Sequence, residues 1–218
     1  MARRGLGALL VVLGAITVCL ANPDLDRVVE LAREHYGMHA AQTVDTWRDL
    51  VETNRDLPEL EKLELVNTFF NHNVDFEPDA LVWGRTDYWA TPLETLGRGQ
   101  GDCEDYSIGK YVTLGLLGVP IERLRITYVR AETGLPGSGV VQAHMVLAYY
   151  PEPGAEPLIL DNLVGQLRRA SHRPDLKPVF GFNSEGLWVA GKKALADPTA
   201  RLSRWRDLLR RMNDQGLN

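Results

Sequence analysis

Cysteine is nearly absent: the 218 residues contain Cys19 and Cys103 and no others. Two thiols cannot build a disulfide framework, so a hydrophobic core must hold the fold, and the chain is long enough to bury one. Basic charge is also in short supply. Asp and Glu number 29 against 24 Lys and Arg, a formal charge of −5, so the basic face that a nucleic-acid binder needs is not expected. Internal repeats, low-complexity tracts and linker-like stretches are missing, which argues for one domain. With 44% hydrophobic and 24% charged residues, the composition excludes wholesale disorder.

The N-terminus has the three-part layout of an export signal. Arg3 and Arg4 form a short basic region, Leu6 to Leu20 carries no charge, and Cys19-Leu20-Ala21 offers small residues for cleavage. The expected organisation is a signal peptide over 1–21 and a single domain over 22–218, with the exported protein in the periplasm and not an integral membrane protein. An uncleaved anchor competes, against an apolar run shorter than the ~20 residues of a spanning helix. Lipidation of Cys19 also competes, but Val18 suits it poorly. Cleavage after Ala21 removes Arg3, Arg4 and Cys19 and no acid, leaving a more acidic chain with Cys103 as its sole thiol. A lone thiol in an oxidising compartment is either an inert buried hydrophobe or a reactive group.

The first half has helical periodicity and the second half alternates. Leu25, Val28, Val29 and Leu31 predict a helix stopping near Gly37, and Val44, Trp47, Leu50 and Val51 a second. Asp56 and Glu59 predict a capping box for a third helix, with Leu60, Leu63, Val66 and Phe70 facing inward. Thr91-Pro92-Leu93-Glu94 repeats that signature for a short helix ending at Gly97. Strands are expected at Leu124–Val129, Val141–Tyr149 and Leu158–Leu160, with a turn over Gly134–Gly139 and a hairpin around Asn183-Ser184-Glu185-Gly186. Asp197-Pro198 opens a terminal helix with Leu202, Trp205, Leu208 and Leu209 inside and Arg201, Arg204, Arg206, Arg210 and Arg211 on a solvated face. Helices followed by an antiparallel sheet give an α+β class.

The densest chemical pattern is Gly97-Arg98-Gly99-Gln100-Gly101-Asp102-Cys103-Glu104-Asp105-Tyr106. Asp102 is a good N-cap, and helical residues continue to Leu117 before Gly118-Val119-Pro120. Cys103 is therefore expected at the first helical position, where free amides and the dipole favour a thiolate and its own N–H faces a developing oxyanion. Asp102, Glu104 and Asp105 work against this, because nearby negative charge raises a thiol pKa. A hard cation cancels that charge, which points to a Ca²⁺ site on Asp102, Glu104 and Asp105; simple capping by Asp102 and Asp105, with Glu104 in water, is the equal alternative. A thiolate also needs a base and an orienting group. His144 lies mid-strand in Gln142-Ala143-His144-Met145-Val146-Leu147, and Asp161 ends the strand after Leu158-Ile159-Leu160. Spacing alone leaves open whether Cys103, His144 and Asp161 meet, and a lone strand histidine is more often structural.

Gly101-Asp102-Cys103-Glu104-Asp105, Gln142-Ala143-His144-Met145-Val146-Leu147 and Leu160-Asp161-Asn162 resemble the bacterial transglutaminase-like cysteine proteinases, in particular the periplasmic LapG-type branch of that family. Trp83-Gly84, Asp87-Tyr88-Trp89-Ala90-Thr91-Pro92, Tyr149-Tyr150-Pro151 and Gly186-Leu187-Trp188 extend the resemblance over about Leu63 to Ala190. It implies a papain-like, transglutaminase-like core of helices on an antiparallel sheet, with Cys103 as nucleophile, His144 as base and Asp161 orienting it. It also implies dependence on Ca²⁺ bound at the acidic residues flanking Cys103. The substrate it implies is a large surface adhesin, cleaved near its N-terminus at a di-alanine site to release cells from biofilm. The partner it implies is a LapD-type inner-membrane receptor that senses cyclic-di-GMP. Acyl transfer to an amine, as in a true transglutaminase, uses the same thioester chemistry and competes as the activity. A non-catalytic module docking on a membrane receptor through Trp83, Tyr88, Trp89 and Trp188 competes as the class.

Overall fold

A computed structural model describes residues 23–134, 139–189, 192–194 and 197–217. The export leader expected over 1–21 lies outside these residues, as does most of the turn at 134–139. No described helix is long and apolar enough to cross a membrane.

The helical half opens with α1 (Leu25–Tyr36), α2 (Met38–Thr53) and α3 (Glu59–Asn73). Gly37, at φ 89°, separates the first two as expected. The capping box predicted for α3 does not form: Pro58 occupies the N-cap and no side chain caps there. Starting at Glu59 leaves Leu60 on the first turn beyond the core, 53% exposed, while Leu63, Val66 and Phe70 are fully buried. The strand β1 (Asp75–Phe76) precedes the short helices α4 (Asp79–Val82) and α5 (Pro92–Arg98). Thr91 and Glu94 do form their capping box, and α5 closes two residues later than Gly97, on Gly99 in the left-handed region. The pair β1 and β2 (Gln100–Gly101) run parallel, so residues just after β1 sit beside the start of α6 (Cys103–Leu116).

The second half is a seven-stranded antiparallel sheet. It comprises β3 (Leu124–Glu132), β4 (Val141–Tyr149), β5 (Leu158–Leu160), β6 (Arg168–Arg169), β7 (Leu176–Asn183), β8 (Gly186–Val189) and β9 (Lys192–Ala194), in the order β6-β5-β4-β3-β7-β8-β9. The hairpin expected at 183–186 is the β7–β8 turn. Alternation divides the strands between two faces: Leu124, Ile126, Met145, Leu147 and Tyr149 join the main core with α6 and α3, whereas Val129, Val146, Ala148 and Ile159 form a smaller cluster. Helix α6 is buried almost throughout because it lies between α3 and the sheet. Trp47 donates to Thr113 at 2.8 Å, satisfying the indole inside that packing. The α+β class expected from the pattern is thus observed.

The C-terminal helix divides at Leu202 into α7 (Pro198–Arg201) and α8 (Ser203–Asp214). Trp205 and Leu208 are buried as predicted. Its arginines are not one solvated face. Arg211 is largely buried, ion-paired to Glu94, bonded to the Trp89 carbonyl at 2.5 Å and lying 4.5 Å over the Tyr88 ring. A loop crossing the helix covers this position, which helical periodicity cannot anticipate.

Candidate active site

Cys103 is the first residue of α6, and Asp102 is its N-cap in extended conformation. The turn that delivers them is tight: a Cβ on Gly101 would stand 2.7 Å from an Asp105 carboxylate oxygen, so only glycine allows that approach. Asp105 is fully buried and serves as an internal clamp, accepting from Ala90 N at 2.7 Å and Asp102 N at 3.3 Å.

The thiol is not a ready nucleophile in this arrangement. Cys103 Sγ donates to Glu104 Oε2 at 3.1 Å. Burial pushes its pKa up, Glu104 and Asp102 push it further, and the Met145 backbone amide opposes them in part. Cys103, Asp102, Glu104, His144 and Met145 line one cleft of about 520 Å³, walled by Phe76, Trp89, Tyr128 and Phe180. The free cysteine expected at a helix start and the histidine expected mid-strand therefore open onto one cavity.

Behind that cavity His144 Nε2 and Asp161 Oδ1 are 2.8 Å apart, both residues buried. Leu163 N also donates to Oδ1, at 3.1 Å, and Asn71 donates to the Asp161 carbonyl at 2.9 Å. Burial alone would raise the Asp161 pKa, yet bonding to His144, the Leu163 amide and Arg173 holds it down at about 2. The buried Arg173, 2.8 Å from Asp161 Oδ2, was not marked by any sequence pattern. Neither was Lys110, two turns after Cys103 on α6, which is buried and donates to Asn71 Oδ1 at 2.7 Å. Burial lowers its pKa to about 7 despite the nearby Asp161 charge.

The acidic residues form three overlapping clusters whose ligating atoms lie within 4.8 Å of one another. Asp102, Cys103 and Glu104 make the first, Asp79, Asp102 and Asp105 the second, and Asp79, Asp87 and Glu104 the third. Asp79 and Asp87 were missed in the sequence; the parallel β1–β2 pairing brings Asp79 alongside Asp102. Asp79 Oδ2 accepts from Tyr88 N, but Asp79 Oδ1 and Asp102 Oδ1 are buried without a hydrogen-bond partner. Burial first, then the neighbouring carboxylates, pushes the Asp102 pKa up to about 10 and that of Asp79 to about 6. Asp105 is raised by the same cause. Clustered hard oxygen donors, two of them without a hydrogen-bond partner, fit a divalent calcium ion. Arg204 Nε lies 2.8 Å from Asp87 Oδ1 and is the cation nearest this edge among the ion pairs of the described residues.

Comparison with known proteins agrees with this architecture. The family profile of bacterial transglutaminase-like cysteine proteinases (BTLCP) matches residues 34–174. Legionella pneumophila LapG is 41% identical over 86% of this chain and 97% of its own, with a TM-score of 0.73. Its calcium-bound structure matches at 41% identity, over 86% of this chain and 98% of its own, with a TM-score of 0.73. Its EGTA-treated structure matches at 41% identity, over 86% and 97%, with a TM-score of 0.74. No protein of curated function matches the chain.

Proposed function

The chain belongs to the bacterial transglutaminase-like cysteine proteinase family, and from that premise we propose that it is a calcium-dependent periplasmic endopeptidase working through Cys103, His144 and Asp161. The observation that carries this reading is the shared cleft: a helix-start thiol and a histidine backed by a buried carboxylate open onto the same space.

In the reaction, His144 accepts the Cys103 thiol proton as Sγ bonds to the scissile carbonyl carbon. The resulting oxyanion is met by the N–H of Cys103, at the positive end of α6. Collapse breaks the C–N bond, His144 returns the proton to the departing amine, and a thioester remains. Water, deprotonated by His144, then releases the acid and restores the thiol. Asp161 accepts from Nε2–H, fixing the tautomer that leaves the other ring nitrogen free to act as base.

Asp102, Glu104 and Asp105, joined by Asp79 and Asp87, are the residues that would hold calcium. When bound, the ion supplies compensating positive charge beside the thiol. Glu104, once a ligand, would no longer be a free acceptor for the Cys103 proton, and that would make cleavage depend on calcium. The calcium-bound Legionella relative supports the same reading. Residues 1–21 serve as the export leader and 22–218 as one catalytic domain. The substrate is a large surface adhesin cut near its N-terminus, and a LapD-type, cyclic-di-GMP-sensing inner-membrane receptor restrains the enzyme; both follow from the kinship with LapG-type proteins. Incubation with an adhesin N-terminal fragment, calcium, a labelled amine and a glutamine donor tests the activity. Peptide cleavage without amine incorporation is expected. Amine incorporation would make the enzyme an acyl transferase, and undiminished cleavage by Cys103→Ala would remove the thiol from the mechanism.

A further inference from the structure

We infer that Arg173 is a positioning residue for catalysis, holding Asp161 as an ionised carboxylate with Oδ1 presented to His144. The inference rests on the proposed roles of His144 and Asp161. Arg173 follows a short helical turn outside the cleft and reaches Asp161 from the smaller core, where Val129, Val146, Ala148 and Ile159 surround a cavity of about 80 Å³ that Arg173 helps to line. A guanidinium buried to 3% exposure among such groups is costly unless carboxylates face it. Two do. Asp175 takes Nε and Nη2 at 2.8–3.2 Å, and Asp161 Oδ2 lies 2.8 Å from Nη2.

Asp161 thereby faces a different group with each oxygen: Oδ1 is hydrogen-bonded toward His144, and Oδ2 meets Arg173 as an ion pair without hydrogen-bond geometry. This division matters for the imidazole. A buried carboxyl with only one partnered oxygen could take up a proton or turn its other oxygen toward the histidine, and either event loosens the His144 ring. Arg173 opposes both, since its charge favours the ionised form and its attraction keeps Oδ2 turned away from the imidazole. The Asp175 pair anchors the guanidinium itself, as a planar group with several donors permits. Lys110 is the other buried cation facing this group; it acts at one remove, through Asn71 on the Asp161 carbonyl.

The test compares the parent enzyme with Arg173→Met, Arg173→Lys and Asp161→Ala in the cleavage of an adhesin N-terminal fragment with calcium present. The low-field ring N–H proton resonance of His144 is recorded for each. We expect Arg173→Met to lower kcat about 100-fold with KM near the parent value, and to lose the resonance. Arg173→Lys, which keeps the charge but not the fork, should fall between. A merely structural arginine would leave the resonance in place and make Lys no better than Met; that result overturns the inference, as does parental kcat in Arg173→Met while Asp161→Ala is inactive. Parental kcat in Asp161→Ala would instead overturn the triad reading beneath it. If Arg173→Met fails to fold, Arg173→Lys decides: reduced kcat at parental KM supports the inference, and parental kcat overturns it.

Discussion

Two groups of carboxylates flank the catalytic pair, one beside the thiol and one behind the histidine, and they are in opposite electrostatic condition. Asp161 is surrounded by donors that the chain supplies, with its pKa held at about 2. Asp102 and Asp79 crowd other acids and are pushed up to about 10 and about 6; each keeps an oxygen without a hydrogen bond, as Asp161 does at Oδ2, but theirs have no buried guanidinium 2.8 Å away. Burial is common to both, so partners alone decide the sign. The polypeptide completes the base side of the site by itself, whereas on the thiol side Arg204 pairs with Asp87 at the edge of the cluster and no ion pair reaches Asp102 or Asp79 among the described residues. This asymmetry is the physical basis of the calcium dependence proposed above.

The comparison can be broken first at the chemistry. Cys103→Ala is expected to cost about 10⁶-fold in kcat with an unchanged thermal midpoint. Asp161→Ala should cost about 10⁴-fold, measured by single-turnover cleavage.

A sharper contrast comes from stability. Asp161 has a depressed folded pKa, so its contribution is present above the ordinary carboxylate value of about 3.9 and is lost as pH falls toward 2. Asp102 has a raised folded pKa, so in chelator its contribution is present at low pH and is lost as pH rises toward 10. Asp102→Ala should therefore raise the midpoint of the chelated protein at pH 7 while weakening calcium binding by calorimetry. Asp161→Ala should lower the midpoint under the same conditions. Equal calcium affinity in Asp102→Ala and the parent would remove that residue from the ligand set.

The smallest effect concerns Lys110. Its folded pKa lies below the unfolded value, so the unfolded chain binds more protons between about 7 and 10.4 and stability rises with pH there. Lys110→Met should flatten that rise in urea titrations; a slope equal to the parent would show that the lysine is solvated.

How much of this could be read beforehand follows from the range of each signal. Cys103 was legible because a glycine-rich turn, an N-cap and a helix are contiguous, and their physics is local. The strands bearing His144 and Asp161 were legible from alternation, and their antiparallel neighbours β4 and β5 bring the two side chains together. Arg173 was not, since one arginine in a turn looks like any other until a tertiary neighbour is known. Asp79 carries no motif of its own, and only the parallel β1–β2 pairing, too short to show periodicity, places it by Asp102. Arg211 departs from the solvated face that periodicity predicts for a related reason: the loop that buries it comes from more than a hundred residues earlier. At Pro58 the error was local, because a proline took the position that the Asp56–Glu59 pattern needed for its cap.

The most direct test of calcium-dependent proteolysis is a cleavage assay on an adhesin N-terminal fragment, first in chelator and then with calcium restored, with the cut mapped by mass. The account predicts no product in chelator, full recovery on adding calcium to the parent, and no recovery in Cys103→Ala. Undiminished cleavage in chelator would contradict it.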